Sequence, residues 1–233
     1  MVPSVNKPAK AAEFMKTQAN PMGQDRFGAA LPATLHHRAP PHKDPAMPST
    51  RMHQFTLEPL FRSLSNLFDG DLDIAKTASA ELAKKAAGAM GESSARPLAP
   101  EFLAVMGQKD AHPICAEIAK LPFNWAPPQT SQSDLYKSHS HFKAHVELLG
   151  PDGLVKSDVV RLGLYGMMPQ SEYGIRTHPA EEIYIMLAGQ CYWMRGTASY
   201  QAASVGQRSY HPSDMPHATL TKTVAFMSVY AWA

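Results

Sequence analysis

Two histidines and a glutamate near the C-terminal end of the sequence are spaced as metal ligands often are. His178 and Glu182 are four residues apart, and His217 follows the segment Pro212-Ser-Asp-Met-Pro216. A divalent ion needs three or four nitrogen or oxygen ligands that converge from rigid elements. Two ligands from one hairpin and a third from a later strand would achieve this inside a small barrel. We therefore predict that His178, Glu182 and His217 hold one metal ion.

A tyrosine lies close to this ligand set. Tyr184 comes two residues after Glu182, so on a strand both side chains point the same way, whereas Glu181 points the other way. The pKa of tyrosine in water is about 10, and a nearby cation lowers it. We therefore expect Tyr184 to face the predicted ion, which would lower the pKa of its hydroxyl. A tyrosine that only fills the core is the alternative.

The elements that must position these residues are predicted to be strands. From about residue 123 the apolar residues recur every second position, as in Ala144, Val146 and Leu148. Turn residues separate the runs, for example Pro151-Asp152-Gly153 and Gly189. Many short strands without intervening helices predict a barrel or sandwich over residues 123–233.

The preceding segment, residues 51–122, is predicted to be helical. Apolar residues recur at three and four positions over 55–68, and Asp71 is expected to cap a second helix. Shorter helices are predicted from Pro100 through Met106 and from Pro113 through Leu121. We expect these helices to pack against the barrel or against a second subunit, so a homodimer is one predicted arrangement.

Residues 1–50 have a different composition. Eight prolines interrupt them without a lasting apolar period, and this pattern predicts a poorly ordered arm. Its histidines, His36, His37 and His42, resemble a metal-binding tract, but a solvated arm is the favoured interpretation.

Composition limits the partners and the compartment. The net charge is +2 with basic residues scattered along the chain, which argues against nucleic acid as a partner. The sequence contains no run of about 18 apolar residues, so we predict no membrane span. Two cysteines without a CxxC pair or an apolar leader favour a reducing compartment. The prediction is a cytoplasmic protein that binds a small molecule.

The spacing of the ligands resembles a known superfamily. His178-x3-Glu182-x6-Gly189, followed by Gly206 and His217, is similar to the two signature motifs of cupins. The resemblance implies a mainly β fold, with a single small cupin (jelly-roll) barrel after the helical segment. The first position of the usual His-x-His pair is Arg176 here. Arg176 is expected to form a structural ion pair, and binding of a carboxylate is the alternative.

A closer resemblance covers roughly residues 120–233. The runs that carry it are Glu147-Leu-Leu-Gly-Pro-Asp-Gly153, Arg161-Leu-Gly-Leu-Tyr165, His178-Pro-Ala-Glu-Glu-Ile-Tyr184, His211-Pro-Ser and Tyr230-Ala-Trp232. They resemble the bacterial cupin-type dimethylsulfoniopropionate lyases. The resemblance implies that the metal ligands are His178, His217, Glu182 and Tyr184. It also implies a second functional tyrosine, Tyr173, five residues before His178.

The implied reaction is a metal-dependent β-elimination that yields dimethyl sulfide and acrylate, with a tyrosine as the base. A sulfonium group prefers aromatic faces, and the candidates for that site are Trp193, Tyr192, Tyr165 and Trp125. The ligand types leave zinc, iron(II), manganese, cobalt and nickel open. Alternative functions are another metal-cupin enzyme, such as an iron-dependent dioxygenase or an isomerase, and a cupin that binds a small ligand without catalysis.

Four further histidines complete the candidates. His139 and His141 have a ligand-like spacing, but no glutamate follows at the required interval, and His145 lies close to them. We expect these three to have no part in metal or substrate binding. His211, six residues before His217, is a candidate for an additional pocket residue.

Overall fold

The computed structural model describes residues 51–125 and 134–233, so the predicted arm over residues 1–50 lies outside the described residues. The described chain is mainly β-structure preceded by helices, which confirms the predicted fold class. The helices are α1 Glu58–Leu67, α2 Asp73–Ala86, α3 Pro100–Met106, α4 Ile114–Ile118 and α5 Asp134–Ser138. The strands are β1 Met52–Thr56, β2 Met90–Ser94, β3 Lys143–Gly150, β4 Val155–Lys156, β5 Arg161–Met167, β6 Glu172–Arg176, β7 Glu182–Gly189, β8 Cys191–Arg195, β9 Gln201–Ala203, β10 Arg208–His211, β11 His217–Leu220 and β12 Phe226–Trp232.

Two opposed sheets form a barrel. The larger has the strand order β10-β7-β12-β5-β3-β4, and the smaller has the order β6-β11-β8-β9. Every neighbouring pair in these two sheets is antiparallel except β3 and β4, which are parallel. Side chains from the inner faces of both sheets meet in one buried cluster between them.

The larger sheet is buried on both faces, and successive side chains along a strand point to opposite faces of the sheet. On β7, Ile183, Ile185 and Leu187 contribute to the outer core under the helices. Tyr184 and Met186 on the same strand contribute to the inner cluster. Burial of both faces explains why β7 is an almost uninterrupted apolar run in the sequence. Full burial of one such Ile or Leu side chain contributes about 1.5–3 kcal/mol.

The helical segment covers the outer face of the larger sheet. Helix α1 buries Leu60, Phe61 and Leu64 in the outer core, and α3 buries Phe102 and Val105 there. Of the two packing arrangements expected for the helices, the structure therefore contains the one against the barrel.

Several predicted boundaries were wrong. The first helix begins at Glu58 rather than at residue 55, because Met52–Thr56 pairs with β2 in a two-stranded sheet. Asp71 does not cap α2, which begins at Asp73 without a side-chain cap. Helix α3 has the predicted bounds, whereas the fourth helix is shorter than predicted. The main sheet begins at β3 rather than near residue 123, and α5 precedes it.

The turn at Gly189 requires glycine. Its φ angle is +69°, and an added side chain would collide with the backbone carbonyl of Ala225. This turn joins β7, which carries Glu182 and Tyr184, to β8, which carries Trp193. Within residues 51–125 and 134–233, the helices are all too short or too polar to cross a membrane.

Candidate metal centre

His178, Glu182 and His217 converge at one end of the barrel. His178 lies just before β7, Glu182 is the first residue of β7, and His217 is the first residue of β11. One ligand atom from each residue lies within 4.8 Å of the other two. Oε2 of Glu182 is 3.6 Å from Nε2 of His178 and 3.4 Å from Nε2 of His217. The three residues thus form a compact site in which Glu182 and His217 are buried.

Backbone carbonyls orient both imidazole rings. Nδ1 of His178 donates to the carbonyl of Ala180, and Nδ1 of His217 donates to the carbonyl of Met215, both at 2.9 Å. A carbonyl can only accept, so in the neutral ring the lone pair is on Nε2, which faces Glu182. Such bonds on the remote nitrogen are typical of metal-binding histidines.

The buried Nε2 of His217 fits a metal ligand. This atom has no hydrogen-bond partner among the described residues, although Oε2 of Glu182 lies nearby. A neutral Nε2 and a carboxylate oxygen are both acceptors, so they repel unless a proton or another cation lies between them. Two imidazole nitrogens and one carboxylate oxygen around a common point are a donor set that suits a divalent transition metal.

The charges at the site are strongly coupled. Burial alone would raise the pKa of Glu182, but contacts with His178, His211 and His217 outweigh it and hold that pKa well below its usual range. Burial alone would lower the pKa of His178, but the neighbouring Glu182 carboxylate raises it above its usual value. A proton on His178 and a metal ion therefore compete for the same lone pair.

His211, a candidate pocket residue from the sequence, lies against this cluster. Its ring stacks on His217 with centroids 4.4 Å apart and planes at 15°. Its Nδ1 is 3.4 Å from Oε2 of Glu182, and its Nε2 hydrogen-bonds to Ser209 at 2.9 Å. Burial lowers the pKa of His211 to about 4, so this imidazole is neutral at physiological pH.

Both candidate tyrosines lie in the barrel interior. The Tyr184 hydroxyl donates to Oε1 of Glu182 at 2.7 Å. Burial and the Glu182 charge raise the pKa of Tyr184 well above its usual value. Tyr173 is also buried, and burial raises its pKa while the charge of Arg176 acts in the opposite direction. The Arg176 guanidinium lies 3.9 Å from the centre of the Tyr173 ring.

These two tyrosines belong to an inner aromatic cluster. We define it as Tyr136, Tyr165, Tyr173, Tyr184, Trp193 and Tyr230. The rings of Tyr184 and Trp193 are 4.5 Å apart, and those of Tyr165 and Tyr184 are 5.7 Å apart. These aromatic faces, of which Tyr184 contacts Glu182, form a surface that suits a small organic cation.

Two of the four residues suggested for the sulfonium site belong to this cluster, namely Trp193 and Tyr165. The other two lie elsewhere. Tyr192 alternates with Trp193 along β8, its hydroxyl bonds to Gln190, and Lys222 lies 4.2 Å from its ring centre. Trp125 packs on Phe123 in the outer core, on the helical side of the larger sheet. Strand parity and the helical layer separate both from the inner aromatic cluster.

Two inner residues were missed from the sequence. His145 bridges two tyrosines, with its Nδ1 2.6 Å from the Tyr136 hydroxyl and its Nε2 2.8 Å from the Tyr230 hydroxyl. Lys143 is buried beside Tyr173. Their signal was available, because both alternate along β3 with Ala144 and Val146, which face the outer core.

The other histidines and Arg176 differ in their surroundings. His139 lies 6.0 Å from the Tyr173 ring, while His141 is exposed. The structural ion pair expected for Arg176 is not found, since in the described part of the chain no carboxylate lies within 4.0 Å of its guanidinium.

Comparison with known proteins places these residues in a family context. Residues 100–227 match the model of the dimethylsulfoniopropionate lyase family. The chain is 34% identical over 85 residues to the dimethylsulfoniopropionate lyase DddQ of Ruegeria pomeroyi, and the match covers 36% of this chain and 42% of that protein. It therefore spans less than half the length of that relative.

Two solved structures of dimethylsulfoniopropionate lyases resemble the chain over 59% of its length and 74% of theirs. One belongs to the crystal structures of the lyases RdDddP and RnDddQII, and it has 21% identity and a TM-score of 0.47. The other, DddQ from Ruegeria pomeroyi, has 25% identity and a TM-score of 0.40.

Proposed function

Because the chain belongs to the dimethylsulfoniopropionate lyase family, we propose that it cleaves dimethylsulfoniopropionate to dimethyl sulfide and acrylate. The observation that carries this proposal is the convergence of His178, Glu182 and His217 beside two buried tyrosines. The reaction needs a base to remove a proton from the carbon next to the carboxylate, and it needs no general acid because the leaving sulfide is neutral.

We propose His178, Glu182 and His217 as metal ligands, with Tyr184 as a fourth ligand or the base. The ion, whether zinc, iron(II), manganese, cobalt or nickel, would supply a Lewis acid for the substrate carboxylate. The orientation of both imidazoles by carbonyls and the unpartnered Nε2 of His217 support the ligand assignment.

A tyrosinate oxygen would remove the α-proton. The electron pair of the C–H bond then forms the carbon–carbon double bond, and the C–S electrons leave with dimethyl sulfide. Tyr184 and Tyr173 are the candidates for this base. The hydroxyl of Tyr184 is held by Glu182, whereas Tyr173 lies against the positive charge of Arg176. Burial raises the pKa of Tyr173 and the Arg176 charge opposes that rise, so this contact supports Tyr173 as the base.

The faces of Trp193 and Tyr165 would hold the sulfonium end. Both side chains are buried on the inner surface, and the Trp193 ring lies against Tyr184. Stacked aromatic faces attract an organic cation without offering an anion that would compete for the metal.

Headspace gas chromatography tests the proposal. The full chain would be loaded in turn with zinc, iron(II) and manganese(II) and incubated with dimethylsulfoniopropionate. We expect dimethyl sulfide from the parent and from His141→Ala, which removes an exposed histidine, and none from His217→Ala. Oxygen uptake without dimethyl sulfide would favour a dioxygenase instead. Binding of the compound without turnover, at full metal loading, would favour a ligand-binding cupin.

We also propose that the chain works in the cytoplasm, as a homodimer acting on a small molecule. Cys115 and Cys191 are buried and free, which is consistent with a reducing compartment. Light scattering coupled to gel filtration would measure the mass in solution, and a mass of one chain would contradict the homodimer.

A further inference from the structure

Lys143 carries a buried amine that forms no ion pair with a carboxylate of the described residues. Its side chain is on the inner face of β3 and the residue is 4% exposed. Its Nζ lies 3.3 Å from the ring centre of Tyr173 and 4.1 Å from that of Tyr136. Among the described residues Nζ has no hydrogen-bond acceptor. Aromatic faces only partly replace the water that an ammonium group loses on burial.

A second cation shares the same surroundings. Arg176 is on β6, its guanidinium lies on the Tyr173 ring, and its position is paired in register with His217. One nitrogen, Nη1, donates weakly to the Tyr173 carbonyl at 3.4 Å, while the buried Nη2 has no acceptor in the described segments. The charge of Arg176 disfavours a second positive charge on Lys143. In the described segments no carboxylate forms an ion pair with either group, although the Glu182 charge acts on Arg176 from a greater distance.

Other donors on the inner face are also unsatisfied. Trp193 Nε1, the Thr219 hydroxyl and the Tyr165 hydroxyl are buried without partners in the part of the chain that the structure describes. Thr219 pairs in register with both Tyr173 and Trp193, so these groups lie in one region. Buried donors are normally satisfied, so several together indicate a polar ligand or ordered water.

We propose that Lys143 and Arg176 form a binding site for the carboxylate of a small organic acid, beside the His178–Glu182–His217 cluster. A carboxylate has two acceptor oxygens and one negative charge, which match an ammonium donor and a free guanidinium nitrogen. Only the identity of the acid as dimethylsulfoniopropionate rests on the proposed function.

The electrostatics of the free protein agree with this geometry. Burial, followed by the charge of Arg176, lowers the pKa of Lys143 to about 6. An anion bound at Nζ would favour the protonated amine again, so binding near pH 8 would take up a proton. The groups that face this amine are Arg176 and Tyr173 on β6, Tyr136 on α5 and His145 on its own strand.

Such a site would also orient a zwitterionic substrate. The two cations attract the carboxylate end and repel the sulfonium end. The arrangement places the carboxylate near the proposed metal ligands and Tyr173, where the adjacent α-proton must be removed.

Calorimetric binding of sodium propionate to the metal-free full chain tests the site without any catalytic step. Propanamide, neutral and of the same shape, is the ligand control. A hydrogen bond to a charged group contributes about 1.5–3 kcal/mol, so we expect Lys143→Met and Arg176→Met each to weaken propionate binding at least about tenfold. Lys156→Met, which removes an exposed lysine on β4, should leave binding unchanged.

Three outcomes would overturn the site: no propionate binding by the parent, equal binding of propanamide, or unchanged binding in both inner variants. The last two would mean that the donors are satisfied by water only. Circular dichroism checks that each variant is folded, and either inner variant alone suffices for the comparison. Propionate binding without release of dimethyl sulfide would retain the site and reject the lyase. Release of dimethyl sulfide with unchanged propionate binding in both variants would support the lyase and reject the carboxylate site.

Discussion

The substitution Lys143→Met should make the metal-free protein more stable. Lysine and methionine are similar in length, so the change removes a buried charge and leaves little empty volume. Each pKa unit corresponds to about 1.4 kcal/mol, and the pKa of Lys143 falls from 10.5 to about 6. The charged amine therefore opposes folding by an amount on the order of 6 kcal/mol.

The sign of the pH dependence follows from these two pKa values. Below pH 6 the amine is charged in both states, and the folded protein carries the whole penalty. Between pH 6 and 10.5 the unfolded chain binds a proton that the folded chain lacks, so the stability of the parent rises with pH. The advantage of Lys143→Met should thus fall from about 6 kcal/mol at pH 6 to about 2 kcal/mol at pH 9.

Neighbouring groups do not obscure this window. The pKa of His145 is lowered to about 3, chiefly by burial, and burial raises the pKa of Tyr173. Arg176 stays charged throughout. The charge difference between parent and variant over pH 6 to 9 therefore comes from Lys143.

Urea unfolding followed by tryptophan fluorescence, at pH 6 and at pH 9, measures the effect. Lys156→Met is the control and should change the free energy of unfolding by less than about 0.5 kcal/mol at either pH, as for other surface substitutions. A variant that is no more stable than the parent at pH 6 would refute the claim that this ammonium is buried without an anion. An equal gain at both pH values would refute its titration between them.

Three other perturbations test the site and the core. Metal content of the parent, measured by atomic emission after dialysis, should fall as the pH is lowered, because the raised pKa of His178 lets a proton compete with the ion for the ligand atom. Full retention of the ion at pH 5 would contradict this ligand assignment. Tyr184→Phe and Tyr173→Phe test which tyrosine is the base, and the variant that removes the base should lower kcat by about 10²–10⁴-fold at saturating metal. Only small decreases in kcat for both variants would reject a tyrosine base. Leu64→Ala should reduce the free energy of unfolding by about 2–5 kcal/mol in a urea titration. Leu103→Ala, on the exposed side of α3, is the control, and an equal effect of both substitutions would contradict the packing of α1 on the outer core.

The candidate ligand set could be proposed from the sequence because it depends on local properties. His178 lies just before one strand and Glu182 is the first residue of that strand. Because alternate side chains on a strand point to the same side, Tyr184 lies on the same side as Glu182. The hydrogen bond between Tyr184 and Glu182 has the orientation that parity predicts. The turn at Gly189 is likewise specified locally by a backbone conformation that favours glycine.

Helix boundaries were harder to predict because pairing competes with helical periodicity. Phe55 continues the apolar pattern of α1, yet the residue belongs to a strand whose partner, β2, lies more than 30 positions later. No short window contains that partner. The bounds of α3 were predictable because a proline begins the helix and a glycine ends it.

The sequence by itself determined the mainly β class, the metal-ligand candidates and the two tyrosines, because each follows from residue type and strand period. The tertiary structure decided which aromatics lie near them. Since β3 and β7 are buried on both faces, alternation identifies two faces but not the one that lines the barrel. That choice separated Trp193 from Trp125 and brought Lys143 and Arg176, which are 33 positions apart in the sequence, onto Tyr173. Only long-range packing produces this proximity of unpaired charges.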